Sequence, residues 1–296
     1  MINQNNITAL IITSAIKSIP EINKDVLAIS EITKDLYFIE NTIENIKNFS
    51  GINNFVIVHD FKIDSKHSKM HSKNLLKIKK KYQFELFTSP SCLAMPSQLT
   101  ATNAFKLGIK KIKSKYLLFW EHDHLFVKYV DWDIIYKSFE YGGKLIKFNR
   151  SKNYINSKKN FLKELIFKKG IKNQLYESEY KDLTETNFYC NGPFISETEF
   201  CRGLWENVNY PIPSWNGSFG GFIEGPVNQK MLEDQLNHTD DYFRKKYPLF
   251  VYGEKNFQPI VIHRGSYLPK YKFNLFSLNT YINILRIFKY KLFKLL

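Results

Sequence analysis

Cysteine is scarce. Three occur in 296 residues, Cys92, Cys190 and Cys201, with no C-x-x-C spacing. That excludes a disulfide framework and a zinc ribbon, and it fits a reducing cytoplasm. Long apolar runs are missing too: no stretch of eighteen uncharged apolar residues exists, so no simple helix spans a bilayer. The apolar run 7–16 is preceded by no basic residue, the first lysine being Lys17, and reads as a buried strand rather than a signal peptide. Arginine is limited to five residues (Arg150, Arg202, Arg244, Arg264, Arg286) beside 38 lysines. Acids are outnumbered 28 to 43, for a formal charge of +15, and none follows Lys255.

A charge of +15 by itself suggests nucleic acid or an anionic membrane surface as partner. The abundance of Lys, Ile and Asn is also what an AT-rich coding sequence yields, so the total identifies no partner. At 44% hydrophobic and 16% aromatic, the chain is too apolar for disorder, and 296 residues suffice for a real core.

Short apolar runs mark buried strands at 7–14 (ITALIITS, rich in β-branched residues), 55–60 (FVIVHD), 84–88 (FELFT) and 116–120 (YLLFW). Helical spacing follows around Leu36, Ile39, Ile43 and Ile46, and again over 97–112, after a loop punctuated by Pro90 and Pro96. Strands alternating with helices predict βαβ units and a parallel sheet. Segment 150–185 is polar and reads as an insertion or lid. A strand-like run and a helix are expected over 188–205, a Gly- and aromatic-rich loop over 214–225, and a last short strand ending in a histidine over 258–267.

Ligand sites in open α/β sheets lie beyond the carboxyl ends of the strands. Glu121 and Asp123 stand there, directly after the strongest strand. Two carboxylates one residue apart suit a hard cation, Mn²⁺ or Mg²⁺, bound together with substrate phosphates. An acidic strand-to-loop turn that stays solvated is the plainer reading of E-x-D alone.

The run from Thr100 to His124, TATNAFKLGIKKIKSKYLLFWEHDH, resembles the central signature of GT-A-fold nucleotide-sugar glycosyltransferases. In that signature a helix leads into a hydrophobic strand ending in a metal-binding D-x-D. Asn103, Gly108 and Ile109 match the helix, E-H-D stands for D-x-D, and Thr102 occupies the place of a common Arg. The resemblance implies a single Rossmann-like α/β domain over 1–267, with a mostly parallel central sheet flanked by helices. It implies that Asp123 holds the ion, that Glu121 reaches a coordinated water or the ribose, and that His263 supplies a third ligand with Arg264 beside it for phosphate. It places the nucleotide sugar across the first two strand ends, at Thr13, Ser14 and Asp60, with Asn103 as a further contact. Glu224, in GGFIEG, is the implied general base for the acceptor hydroxyl, with Glu233–Asp234 as rival. Asn191, Trp215, Gly221 and Phe222 are the implied sugar or acceptor contacts. Plainer readings stand beside these: Asp60 as a cap, His263 as a strand end, Asn191 as a turn, the aromatics as core plugs, and Glu233–Asp234 on a solvated helix face. Alternation along an extended chain points His122 and His124 away from the ion.

On a helical wheel, Ile284, Leu285, Phe288, Leu292, Leu295 and Leu296 share one side of 278–296, with Arg286, Lys289, Lys291 and Lys294 mainly on the other. A basic amphipathic tail over 268–296 can lie in an anionic bilayer interface through 272–296, or dock on the domain. The sequence-level expectation is a metal-dependent glycosyltransferase, cytoplasmic or peripheral on the inner membrane face. It takes a nucleotide-sugar donor and a glycan or lipid-linked acceptor of cell-surface polysaccharide synthesis. The competing classes are a basic nucleic-acid-binding protein, which lacks any helix-turn-helix, zinc or RNP-type signature, and a metal-dependent phosphohydrolase, which would bring more His and Asp ligands. A non-catalytic sugar-binding relative is a further alternative.

Overall fold

The computed structural model describes residues 4–14, 31–92, 97–122, 124–149, 175–177, 183–187, 189, 192–206, 224–253 and 260–263. After a 3₁₀ turn at Gln4–Asn6 come β1 (Ile7–Ser14), α1 (Glu31–Ser50), β2 (Phe55–Lys62), α2 (Lys66–Tyr82), β3 (Glu85–Ser91), α3 (Ser97–Lys111) and β4 (Tyr116–Glu121). Then follow β5 (His124–Phe126), α4 (Trp132–Glu140), β6 (Leu145–Phe148), β7 (Leu175–Glu177), β8 (Leu183–Thr186), β9 (Phe194–Glu197) and α5 (Thr198–Glu206). The described chain ends with α6 (Glu224–Asn237), α7 (Asp240–Lys246), β10 (Leu249–Tyr252) and β11 (Val261–His263).

Nine strands form one sheet in the order β3-β2-β1-β4-β9-β6-β10-β8-β7, while β5 and β11 pair separately. Seven of the nine run in one direction; β8 and β9 run against them. The expected α/β class, with helices on both faces of a mostly parallel sheet, is the class observed. The alternation of β1 explains why both faces are covered. Ala9 and Ile11 point to a core shared with Ile39, Ile43 and Ile46 of α1 and Leu75 and Ile78 of α2. Leu10 and Ile12 point to the opposite core, with Phe105 and Ile109 of α3, Trp205 of α5 and Met231 of α6. A strand buried on both sides has no polar face, hence its unbroken apolar run.

Two expectations are corrected. The third strand extends through Pro90 to Ser91, because β3 is an edge strand and an edge tolerates a residue without a backbone N–H. Residues 183–186, within the segment read as an insertion, are a buried strand of the sheet, with 175–177 pairing beyond it. The remainder of 150–182 and the tail 268–296 lie outside the described residues. The helix α2 was not anticipated at all.

Gly108 is the tightest helix–sheet approach. A Cβ there would meet Leu10 Cδ1 at 2.5 Å and Val58 Cγ2 at 3.1 Å, in the filled core beneath α3. Gly108→Ala is therefore expected to cost about 1–3 kcal/mol, the usual penalty of overpacking, read as a lower urea midpoint. An unchanged midpoint would mean that Leu10 swings aside at no cost.

Candidate functional site

The chain winds from β1 outward to β2 and β3, then returns to place β4 on the other side of β1. The sheet's topological switch therefore lies between β1 and β4, and the crevice beyond their carboxyl ends is where such sheets take ligands. Parallel register brings Ser14 beside Asp60 and Ile12 beside Glu121, so Thr13, Ser14, Asp60 and Glu121 share one rim. Asn103 is exposed on α3, three residues beyond Thr100, which bonds Asp60 at the rim.

Two polar groups support the β1–β2 side of the rim. Asp60 is 4% exposed and accepts from Ser91 Oγ at 2.9 Å and Thr100 Oγ1 at 2.7 Å, with Lys62 Nζ 3.0 Å from Oδ2, the oxygen that Thr100 also reaches. This corrects the reading of Asp60 as a simple cap: it joins β2, β3 and α3. Beside it, Thr13 Oγ1 lies 3.1 Å from His71 Nε2 of α2, and the His71 ring meets His59 edge-on at 4.8 Å. His59 is held in turn by Ser72 Oγ at 2.9 Å and Ser68 Oγ at 3.3 Å. Much of the polar capacity of Thr13 and Asp60 is thus engaged within the protein, while Ser14 and Glu121 are partly exposed.

Glu121 closes β4 with its carboxylate 29% exposed and Oε2 3.4 Å from His124 Nδ1. His122 occupies a turn, and the His124 ring lies against Glu121. Side chains of α1 set this turn from outside. Thr42 Oγ1 donates to the His122 carbonyl at 2.7 Å. Asn45 clamps β5 from both sides, donating to the Phe126 carbonyl at 3.0 Å and accepting from the Phe126 N–H at 2.7 Å. From within, Trp120 Nε1 donates to the His124 carbonyl at 2.9 Å. Sequence reading missed Thr42 and Asn45; their only signal is two polar residues interrupting the apolar stripe Ile39, Ile43, Ile46.

The β5–β11 pair sets His263 opposite His124 in register. The backbone of the expected third ligand thus lies across from the residue after Asp123. Asp123 itself, Arg264, Asn191, Trp215, Gly221 and Phe222, and the side chain of His263, lie outside the described residues. Among the described residues no three His, Cys, Asp or Glu side chains group as a metal site. Carboxylates of the kind the sequence sets after β4 suit Mn²⁺ or Mg²⁺.

Glu224 opens α6, half-buried, with its carbonyl accepting from Asn228 Nδ2 at 2.9 Å. Asn228 also bonds both backbone groups of Tyr189, which ties the helix start to the chain before β9. Of the rival pair, Glu233 is exposed as expected, but Asp234 is not on a solvated face. It is buried against α7, paired with Lys246 at 2.7 Å and accepting from Tyr247 Oη. Burial pushes the Asp234 carboxyl up, but hydrogen bonds from Lys246 and Tyr247 outweigh it and hold it below its ordinary value. Burial and that carboxylate drive the Tyr247 phenol well up. Asp234 is a packing anchor between two helices.

No family model and no curated protein matches the chain. Solved structures are similar in fold. They include a UDP-glucose pyrophosphorylase complexed with UDP-glucose (10% identity, 96% of this chain and 98% of that one, TM-score 0.46). S. aureus TarS in complex with UDP is similar at 10% identity over 86% of this chain and 59% of that one, TM-score 0.44. The mannosyltransferase PcManGT from Pyrobaculum calidifontis, in complex with GDP-Man and Mn²⁺, is similar at 9% identity over 73% and 50%, TM-score 0.38. The chain spans about half the length of some of these, 47% of the bifunctional IspDF from Campylobacter jejuni (10% identity, 76% of this chain, TM-score 0.37). What these chains share is the α/β architecture.

Proposed function

We propose that this chain is a metal-dependent glycosyltransferase that moves a sugar from a nucleotide-sugar donor to a glycan or lipid-linked acceptor. One observation carries the reading: the E-H-D segment begins at the carboxyl end of β4, at the topological switch, with Glu121 partly exposed and the turn clamped by Thr42 and Asn45. A clamp of this kind holds acidic ligands in one geometry without their having to reorganise during reaction. In this reading Asp123 and His263 hold Mn²⁺ or Mg²⁺, with Glu121 bonding a coordinated water or the ribose. A divalent cation bound there neutralises the charge that builds on the departing diphosphate. Ser14, with Thr13 and Asp60 behind it, lines the nucleotide side with Asn103 of α3, and Arg264 meets phosphate.

For transfer with inversion, Glu224 takes the acceptor hydroxyl's proton while that oxygen bonds the anomeric carbon and the carbon–diphosphate bond breaks. Asn191, Trp215, Gly221 and Phe222 contact sugar or acceptor. The catalytic domain is 1–267, with 268–296 a basic tail that meets the inner face of the membrane. Among the described residues no helix is long and apolar enough to cross it.

Thermal-shift measurements against UDP-, GDP-, CMP- and dTDP-sugars, with and without Mn²⁺, test the reading. A ligand at about a hundred times its Kd adds roughly 2.7 kcal/mol, a rise of several degrees for a chain of this size. Stabilisation that needs both nucleotide sugar and metal is the expected result. Stabilisation by DNA or RNA and by no nucleotide sugar would overturn it.

A further inference from the structure

The helix α2 carries seven lysines and no acid in 17 residues. Ser68, His71, Leu75, Ile78 and Tyr82 recur at three- and four-residue steps and are buried against the sheet and α1. On the opposite side Lys66, Lys69, Lys73, Lys77 and Lys80 recur at the same steps and are all exposed, a stripe about 21 Å long. Aliphatic groups flank it: Met70 is 55% exposed and Leu76 57%, and Ile63, just before the helix, is 54% exposed. These are three of the five exposed aliphatic side chains among the described residues. The seven lysines of α2 and the eight basic, acid-free positions of 255–296 together equal the whole formal charge of +15, so the rest of the chain is balanced.

We propose that the outer face of α2 is a docking surface for an anionic lipid bilayer. Lysines at this density are drawn to anionic headgroups, and aliphatic side chains between them enter the acyl boundary, which water cannot offer them. A nucleic acid would satisfy the lysines alone. It would leave Met70, Leu76 and Ile63 in water, and the face presents no arginine and no aromatic ring on which bases stack. The helix is preformed, N-capped by Ser65 and packed on β2, β3 and α1, so docking carries no folding cost. This inference is independent of the glycosyl-transfer reading, because vesicle binding requires neither donor nor metal.

Co-sedimentation of the full chain with vesicles tests it, using phosphatidylcholine alone or mixed with phosphatidylglycerol. The wild-type chain is expected on the mixed vesicles only. The triple substitution Lys69→Gln, Lys73→Gln, Lys77→Gln is expected to weaken that binding about a hundredfold, roughly fivefold per lysine, with unchanged thermal melting. Met70→Ser with Leu76→Ser is expected to weaken vesicle binding and leave binding to duplex DNA unaltered. The proposal fails if the wild-type chain ignores mixed vesicles or if the triple variant binds them as the wild type does. It fails equally if the apolar double variant loses nothing on vesicles.

Discussion

Asp60→Ala is expected to destabilise the fold by about 3–5 kcal/mol, the cost of removing one member of a buried ion pair. Its side chain is 6% exposed and that of its partner Lys62 12%, so the lysine ammonium cannot recover full hydration when the carboxylate is gone. Ser91 Oγ and Thr100 Oγ1 would lose their acceptor as well, and each unpaired buried group adds to the loss. Urea denaturation followed by circular dichroism reads the effect. Asp60→Leu combined with Lys62→Met should recover much of it, since replacing both partners leaves no orphaned charge. A variant with near wild-type stability but no nucleotide-sugar binding would instead make Asp60 a ligand contact.

Asp123→Ala is expected to lower turnover about a thousandfold, the several kcal/mol that an ion contributes to stabilising a departing phosphate. The register of β1 with β4 brings the chain to the switch point at Glu121, two residues earlier, and the β5–β11 pair brings His263 opposite the residue that follows. The same substitution should abolish Mn²⁺-dependent stabilisation by nucleotide sugar while leaving ligand-free melting in place. Glu121→Ala should cost less, roughly a hundredfold, if it acts through a water or the ribose. Retention of a tenth of the wild-type rate by Asp123→Ala would remove the metal from the mechanism.

Much of the sheet was legible because its strands are continuous apolar runs. β1, β2 and β4 need no partner to be recognised, and Glu121 at the end of β4 follows from the same run. α2 was hidden for a local reason. The first two inward positions of its stripe are Ser68 and His71, polar residues that meet His59 and Thr13 beneath them. An apolar-periodicity search loses the helix there, and with it the lysine face. β8 was hidden similarly, since Leu183–Thr186 spells a polar sequence that is buried because Arg244 of α7 pairs with Glu185.

The sequence alone determined the α/β class, the parallel strands β1, β2 and β4 and the acidic segment at the end of β4, because each is written in contiguous residues. Only the tertiary structure decided what those residues touch. Asp60 is engaged by residues 31 and 40 positions away, and His122 is held from a helix 80 positions earlier. Contacts at that separation depend on how strands are ordered in the sheet, and strand order leaves no trace in local periodicity.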